Sequence, residues 1–163
     1  MEPKSALSRL EASPQLRNWR QAHTDSFLVH AFVMLDEANK DIVQFGFFDP
    51  KKGSITTFMV TPEEIYLLPE SEILKTGSSI LPLKMSEVRL DAKKVISLAE
   101  EYLKRHHPRE QPIKSFYILQ RLDIGCVFNI TYVTASFKIL NIKMSASTGK
   151  ILRHSFESLV DLG

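Results

Sequence analysis

Three observations predict an α+β protein built from helices packed on antiparallel sheet. Helical apolar spacing is confined to the first 22 residues or so and to residues 91–107. Most of the remainder is strand-like, rich in β-branched and aromatic residues and broken by turn chemistry. The later strand-like stretches are joined by loops too short for parallel crossovers, so they must form hairpins. The expected architecture is two helix-plus-antiparallel-sheet units packed together, residues 1–88 and residues 89–163, with 62–88 as the connecting segment.

Ser5 is the candidate cap of a short first helix, and Ser13-Pro14 restarts one, since Ser suits the cap and Pro the first helical position. Leu7, Leu10, Leu16 and Trp19 supply its apolar positions. SFLVHAFVMLDE follows as a strand with a turn at residues 37–40, then IVQFGFFDP, the turn residues Asp49-Pro50-Lys51-Lys52-Gly53, and SITTFMVT. Residues 62–90 are irregular, interrupted by Pro62, Pro69, Pro82 and the Gly77-Ser78-Ser79 cluster. Ile65, Leu67, Leu68, Ile80, Leu81 and Leu83 suggest that they still pack down.

The segment DAKKVISLAEEYLKRHH is the clearest helix. Asp91 is its candidate cap, and Ala92, Val95, Ile96, Ala99, Tyr102 and Leu103 form one apolar stripe. Lys104, Arg105, His106 and His107 stand where the helix dipole favours positive charge, and Pro108 ends it. The strands KSFYILQRL, CVFNITYVT, FKILNIKMSA and KILRHSF complete a meander, with turns at 123–125, 134–136 and 147–149. SFLV at 26–29 and SFYI at 115–118 each follow a helix. DPKKGSI and SASTGKI share the same strand, turn, Gly, strand grammar. Together they suggest an ancient internal duplication.

With 44% hydrophobic and 25% charged residues the chain can bury a sizeable core without disulfides. Residues 1–88 carry 9 Lys/Arg against 12 Asp/Glu, net −3, and residues 89–163 carry 12 against 7, net +5. Solvated surfaces of opposite sign account for this; a net charge of +2 does not by itself argue for nucleic acid. The N-terminal residues read as neither a signal nor a transit peptide, and no apolar run spans a membrane, so a cytoplasmic protein is expected. In that setting the Asn129-Ile130-Thr131 sequon, inside a strand pattern, is accidental.

Ser147-Thr148-Gly149-Lys150 resembles the end of a phosphate-binding loop, but Met144 stands where the first Gly belongs and Ile151 where Ser or Thr would reach magnesium. The strand-like KILRHSF that follows offers no helix N-terminus to phosphate, so the stretch reads as a hairpin. Cys126 is the only thiol, and no His lies near it in sequence; a buried small hydrophobe is the expectation. His106 and His107 point about 100° apart on a helix and cannot readily share one ion. His30 and His154 sit in strands and could meet across a sheet. The acidic pairs Asp36-Glu37, Glu63-Glu64 and Glu100-Glu101 read as solvated, and the Phe-rich stretch 45–48 as core rather than an RNA platform. No catalytic, cofactor-binding or metal residues are assigned, and no cofactor is expected.

The helix DAKKVISLAEEYL and the hairpin NIKMSASTGKIL resemble a PepSY-type domain over residues 91–154. That family packs a helix on an antiparallel sheet, and its last hairpin reads hydrophobic strand, Asp-Ala-x-Thr-Gly-x, hydrophobic strand. Ser145 replaces the usual Asp, removing a side chain able to bracket the turn. The resemblance implies a PepSY/cystatin-like unit, with a more diverged copy in residues 5–61. It implies no catalytic residues; such domains are proposed to inhibit or regulate peptidases.

The leading functional expectation is a non-catalytic protein- or peptide-binding or regulatory module, acting by a sheet face or a strand edge. The rivals are a small cytoplasmic enzyme or redox sensor built on Cys126, and nucleic-acid binding through the basic second half.

Overall fold

In the computed structural model, which describes residues 1–72 and 79–160, helix α1 (Pro3–Glu11) starts ahead of Ser5, with Glu2 at its N-cap. Pro3 explains the earlier start, because its fixed φ and missing N–H suit the first helical position. Helix α2 (Pro14–Ala22) begins as expected: the Ser13 hydroxyl accepts the Leu16 N–H at 3.2 Å. Gly77 and Ser78 of the predicted loop cluster lie outside the described residues.

Strands β1 (Phe27–Met34), β2 (Val43–Asp49) and β3 (Ser54–Val60) follow. The segment read as irregular contributes two short strands, β4 (Ile65–Leu67) and β5 (Ser71–Glu72), both paired with β3. Within it Leu83 is buried, but Leu67 is 52% exposed and does not pack down. After a 3-10 turn at Met85–Glu87 come α3 (Ala92–His106), β6 (Pro112–Leu122), β7 (Gly125–Thr134), β8 (Lys138–Ser145) and β9 (Ile151–Ser158).

The expected pair of packed units is replaced by one antiparallel sheet in the order β4-β3-β2-β1-β6-β7-β8-β9. β1 pairs antiparallel with β6, Ala31 opposite Leu119 and Val33 opposite Tyr117, so the two meanders join through their first strands. Pairing backbone to backbone satisfies edges that two separate sheets would have left open. The N-terminal half carries two short helices, in line with the restart read at Ser13-Pro14.

Alternation then sorts each strand. Ala31, Val33, Phe45, Phe47, Phe58, Leu119, Phe128, Ile130, Leu140 and Ile142 face the helices and are buried. Trp19 of α2 covers Phe47 and Phe58 at ring-centroid distances of 5.8 and 5.6 Å. The α3 stripe buries Ala92, Val95, Ala99 and Leu103, with Ile96 and Tyr102 partly covered at its margin. The first N–H groups of α3 are not capped by the Asp91 side chain. Glu2, from the start of the chain, accepts Ala92 N–H at 2.8 Å and Lys93 N–H at 3.2 Å. A carboxylate there also meets the positive end of the helix dipole, so α1 and α3 are tied directly.

Ala99 has no exposure and Tyr102 sits at the stripe's margin, so the two positions should respond differently to charge. Ala99→Asp buries an uncompensated carboxylate and should cost roughly 3–5 kcal/mol, a large share of a stability of about 5–15 kcal/mol, and so lower the urea midpoint severely. Tyr102→Lys should keep a cooperative transition at reduced midpoint, as followed by circular dichroism in urea.

Candidate functional site

Among the described residues the helices cover one face of the sheet only. The other face presents Gln44 and Phe48 from β2, His30, Phe32 and Met34 from β1, Met59 from β3, and Phe116, Ile118 and Gln120 from β6. All of these are half-buried, flanked by their neighbours on the pleat. Phe32 and Phe116 touch across the joint, ring centroids 5.6 Å apart, and Phe27 stands edge-on to Phe48 at 5.6 Å.

Beside this apolar centre runs a ladder of amides. Asn129 donates to Gln120 Oε1 at 2.9 Å, and Asn141 donates to Asn129 Oδ1 at 2.7 Å and Thr131 Oγ1 at 3.1 Å. Lys143 Nζ donates to Asn141 Oδ1 at 2.8 Å. Asn129 of the sequon is therefore one rung of this ladder in mid-strand.

At one end the face deepens into a cleft of about 700 Å³ lined by His30, Ile55, Ile80, Leu81, Gln120 and Leu122. Leu83 N–H donates to Leu28 O at 2.8 Å and holds the incoming connection against β1. His30 and Gln120 are direct partners across the β1–β6 joint, so the two halves share the cleft floor. His30 also lies over Gly46: a Cβ there would stand 2.9 Å from Nδ1 and closer still to Cε1 and Nε2. Gly46 is what lets the imidazole lie flat on the sheet. Burial lowers the His30 pKa, which favours the neutral ring with one donor and one acceptor.

Of the residues singled out in the sequence, His30, Phe48 and Asn129 lie on this face and the others fall elsewhere. His30 and His154 do not meet: His30 pairs with Gly46 and Gln120, while His154 pairs with Ile142 at the far edge. His106 lies tilted against Tyr102, ring centroids 4.3 Å apart, and His107 against Phe156 at 4.0 Å, an aromatic seam between α3 and β9. Among the described residues no group of three or more His, Cys, Asp or Glu could hold a metal ion. Phe45 and Phe47 enter the core, and Phe48 alone of that stretch reaches the uncovered face.

Gly149 (φ 77°) lies in the hairpin between β8 and β9, with a strand and not a helix after it. The Ser145 hydroxyl accepts the N–H groups of Ser147 and Thr148 at 3.3 and 3.2 Å, so it brackets the turn despite replacing Asp. Asp49 does the same for Lys51 N–H at 2.9 Å, and Gly53 and Gly149 each return an N–H to the first turn residue.

Cys126 is partly exposed rather than a fully buried hydrophobe. Burial, then the negative charge of Glu87, pushes its thiol up to about 11 despite the opposing effect of Arg121. The face, cleft and ladder escaped sequence reasoning because alternation does not say which face the helices cover. Gly46 within a strand was the available signal, since an interior strand Gly marks close approach.

No protein-family model matches the chain, and no curated protein matches it. Among solved structures the fold is similar to that of a putative lipoprotein from Clostridium difficile 630. The TM-score is 0.54 at 11% identity, over 88% of this chain and 90% of that one. At this identity the likeness bears on the fold alone. Among the described residues no helix is long and apolar enough to cross a membrane.

Gly46→Ala should destabilise the protein by about 1–3 kcal/mol through overpacking on the imidazole. In a His30→Ala background the same change should be neutral or stabilising, a coupling read from urea melts as a double-mutant cycle. A thiol held near 11 leaves about one part in a thousand as thiolate at pH 8. Disulfide-reagent labelling of native Cys126 at that pH should therefore be about a hundredfold slower than in the urea-unfolded chain.

Proposed function

We propose that this chain is a non-catalytic binding module whose uncovered sheet face takes a protein surface or an extended peptide. The observation that carries this reading is the half-buried Phe32–Phe116 pair on a face that no described helix covers. Aromatic side chains supply large contact area, and the adjoining ladder supplies fixed amide groups for orientation. The cleft at His30 adds a recess for one apolar side chain, with a neutral imidazole and an amide at its floor. The raised thiol of Cys126 favours this reading over a nucleophile, because the thiolate is the reactive species.

The reading extends to ancestry. A helix lying on a meander that ends in the Ser145–Gly149 turn supports the PepSY resemblance of residues 91–154. The sheet order, mirrored about β1 and β6, supports a duplication. One feature weighs against a simple copy: the Asp49–Gly53 turn joins the second and third strands from the joint, whereas Ser145–Gly149 joins the third and fourth.

The test is selection of peptides from a displayed library, followed by amide shift mapping on the labelled protein. Shifts should concentrate on β1, β6 and β7, and Phe116→Glu should abolish binding while leaving the melting midpoint within a few degrees. Shifts confined to the helical face, or binding unchanged in Phe116→Glu, would overturn the reading.

A further inference from the structure

The last strand, β9, ends the sheet, and no described residue pairs with its outer side. We infer that this edge joins a second copy of the chain, β9 to β9, antiparallel about a twofold axis at Ser155.

The backbone direction comes first. Leu159 N–H donates to Phe137 O at 2.8 Å, in the register that sets Ser158 opposite Lys138 and Glu157 opposite Ile139. Hydrogen-bonded and non-bonded pairs alternate along an antiparallel ladder. Leu159, Glu157 and Ser155 thus bond inward to β8, and the N–H and C=O groups of Ser158, Phe156 and His154 face outward. An outward row of this length is a template for another strand.

The side chains then select the occupant. Antiparallel pairing about Ser155 sets Arg153 against the partner's Glu157, and Glu157 against the partner's Arg153. Both are exposed and lie on the uncovered face, with Ser155 between them. They are opposed at non-hydrogen-bonded pairs, where Cα atoms approach most closely and side-chain coupling is strongest. His154 and Phe156 of the two copies exchange the main-chain bonds.

Other registers lose this match. Because outward groups must meet outward groups, the axis can shift only by whole residues along the strand. An axis at His154 sets Arg153 against serine, and one at Phe156 sets Glu157 against serine. An axis at Arg153 or at Glu157 sets like charge against like. Only the Ser155 axis pairs both charges, and only a second copy carries the complementary sequence in the complementary direction. Arg153 already meets Asp123 at 3.2 Å in its own chain, an exposed pair that holds the guanidinium on the correct face.

The pairing uses the edge and not the aromatic face, so the dimer stands apart from the reading above. Phe116→Glu, which removes peptide binding there, should leave the dimer intact.

Sedimentation equilibrium of the full chain tests it. The wild type should show a monomer–dimer equilibrium that weakens as salt is raised. Arg153→Glu and Glu157→Arg should each weaken the dimer by about tenfold or more, since two attractive pairs become repulsive together. Glu157→Arg leaves the Arg153–Asp123 pair in place, so its loss reports the contact between copies. The double reversal Arg153→Glu/Glu157→Arg should recover most of the dimer. His154→Pro removes an outward donor without breaking the β8 ladder, and should give a folded monomer. A wild type monomeric at every attainable concentration would overturn the inference, as would single reversals that dimerise like it or a double reversal no tighter than the singles.

Discussion

The antiparallel pairing of β1 with β6 is the contact on which the rest of the architecture depends. It links residues about 85 positions apart in the chain and turns two meanders into one sheet. Each main-chain bond contributes only about 0.5–1.5 kcal/mol net, but leaving either edge buried and unpaired would cost more. The joint also fixes which side chains meet: Ala31 and Leu119 toward the helices, His30 and Gln120 away from them. A core and a cleft floor are thus the two sides of one register.

From that register follows a strong asymmetry between faces. The helical side is built for exclusion of water, with Trp19, Phe47 and Phe58 interlocked under α2 and Ala99 allowing α3 close approach. The opposite side is built from groups that satisfy one another while half in water. Its amides bond in sequence from Lys143 to Gln120, which removes the desolvation cost of polar side chains on a partly covered surface. Such a ladder is rigid because each rung fixes the orientation of the next. Apolar residues beside it then keep a defined shape without a second layer over them.

Much of this was legible where the signal is local. The six-residue α3 stripe and the Ser13 cap depend on residues three or four apart; the cap stands as read, and of the stripe Ala92, Val95, Ala99 and Leu103 are buried while Ile96 and Tyr102 lie at its margin. The turns at Gly53 and Gly149 follow from the positive φ that each needs, 67° and 77°. What escaped reading was non-local. Nothing in the two strand sequences says that His30 to Met34 will pair with Phe116 to Gln120, and nothing near Asp91 says that Glu2 will cap α3. The missing Asp at residue 145 misled for a different reason: a hydroxyl can accept the same two N–H groups as a carboxylate, so the turn survives the exchange.

The two ends of the sheet complete the logic, because a long sheet must deal with both of its edges. At the N-terminal end β3 is overlaid by two short strands, β4 and β5, and Pro62 and Pro69 flank β4. Short strands next to proline make a poor template, since each proline withholds a donor. At the other end β9 runs for eight residues, and no described residue before Ser158 blunts its outer side. Its charges are single and of opposite sign, spaced four residues apart, a pattern matched when the strand meets its own reverse. The inferred pairing of β9 with its own copy would cover that edge, and the unequal treatment of the two ends follows from a single uncapped strand.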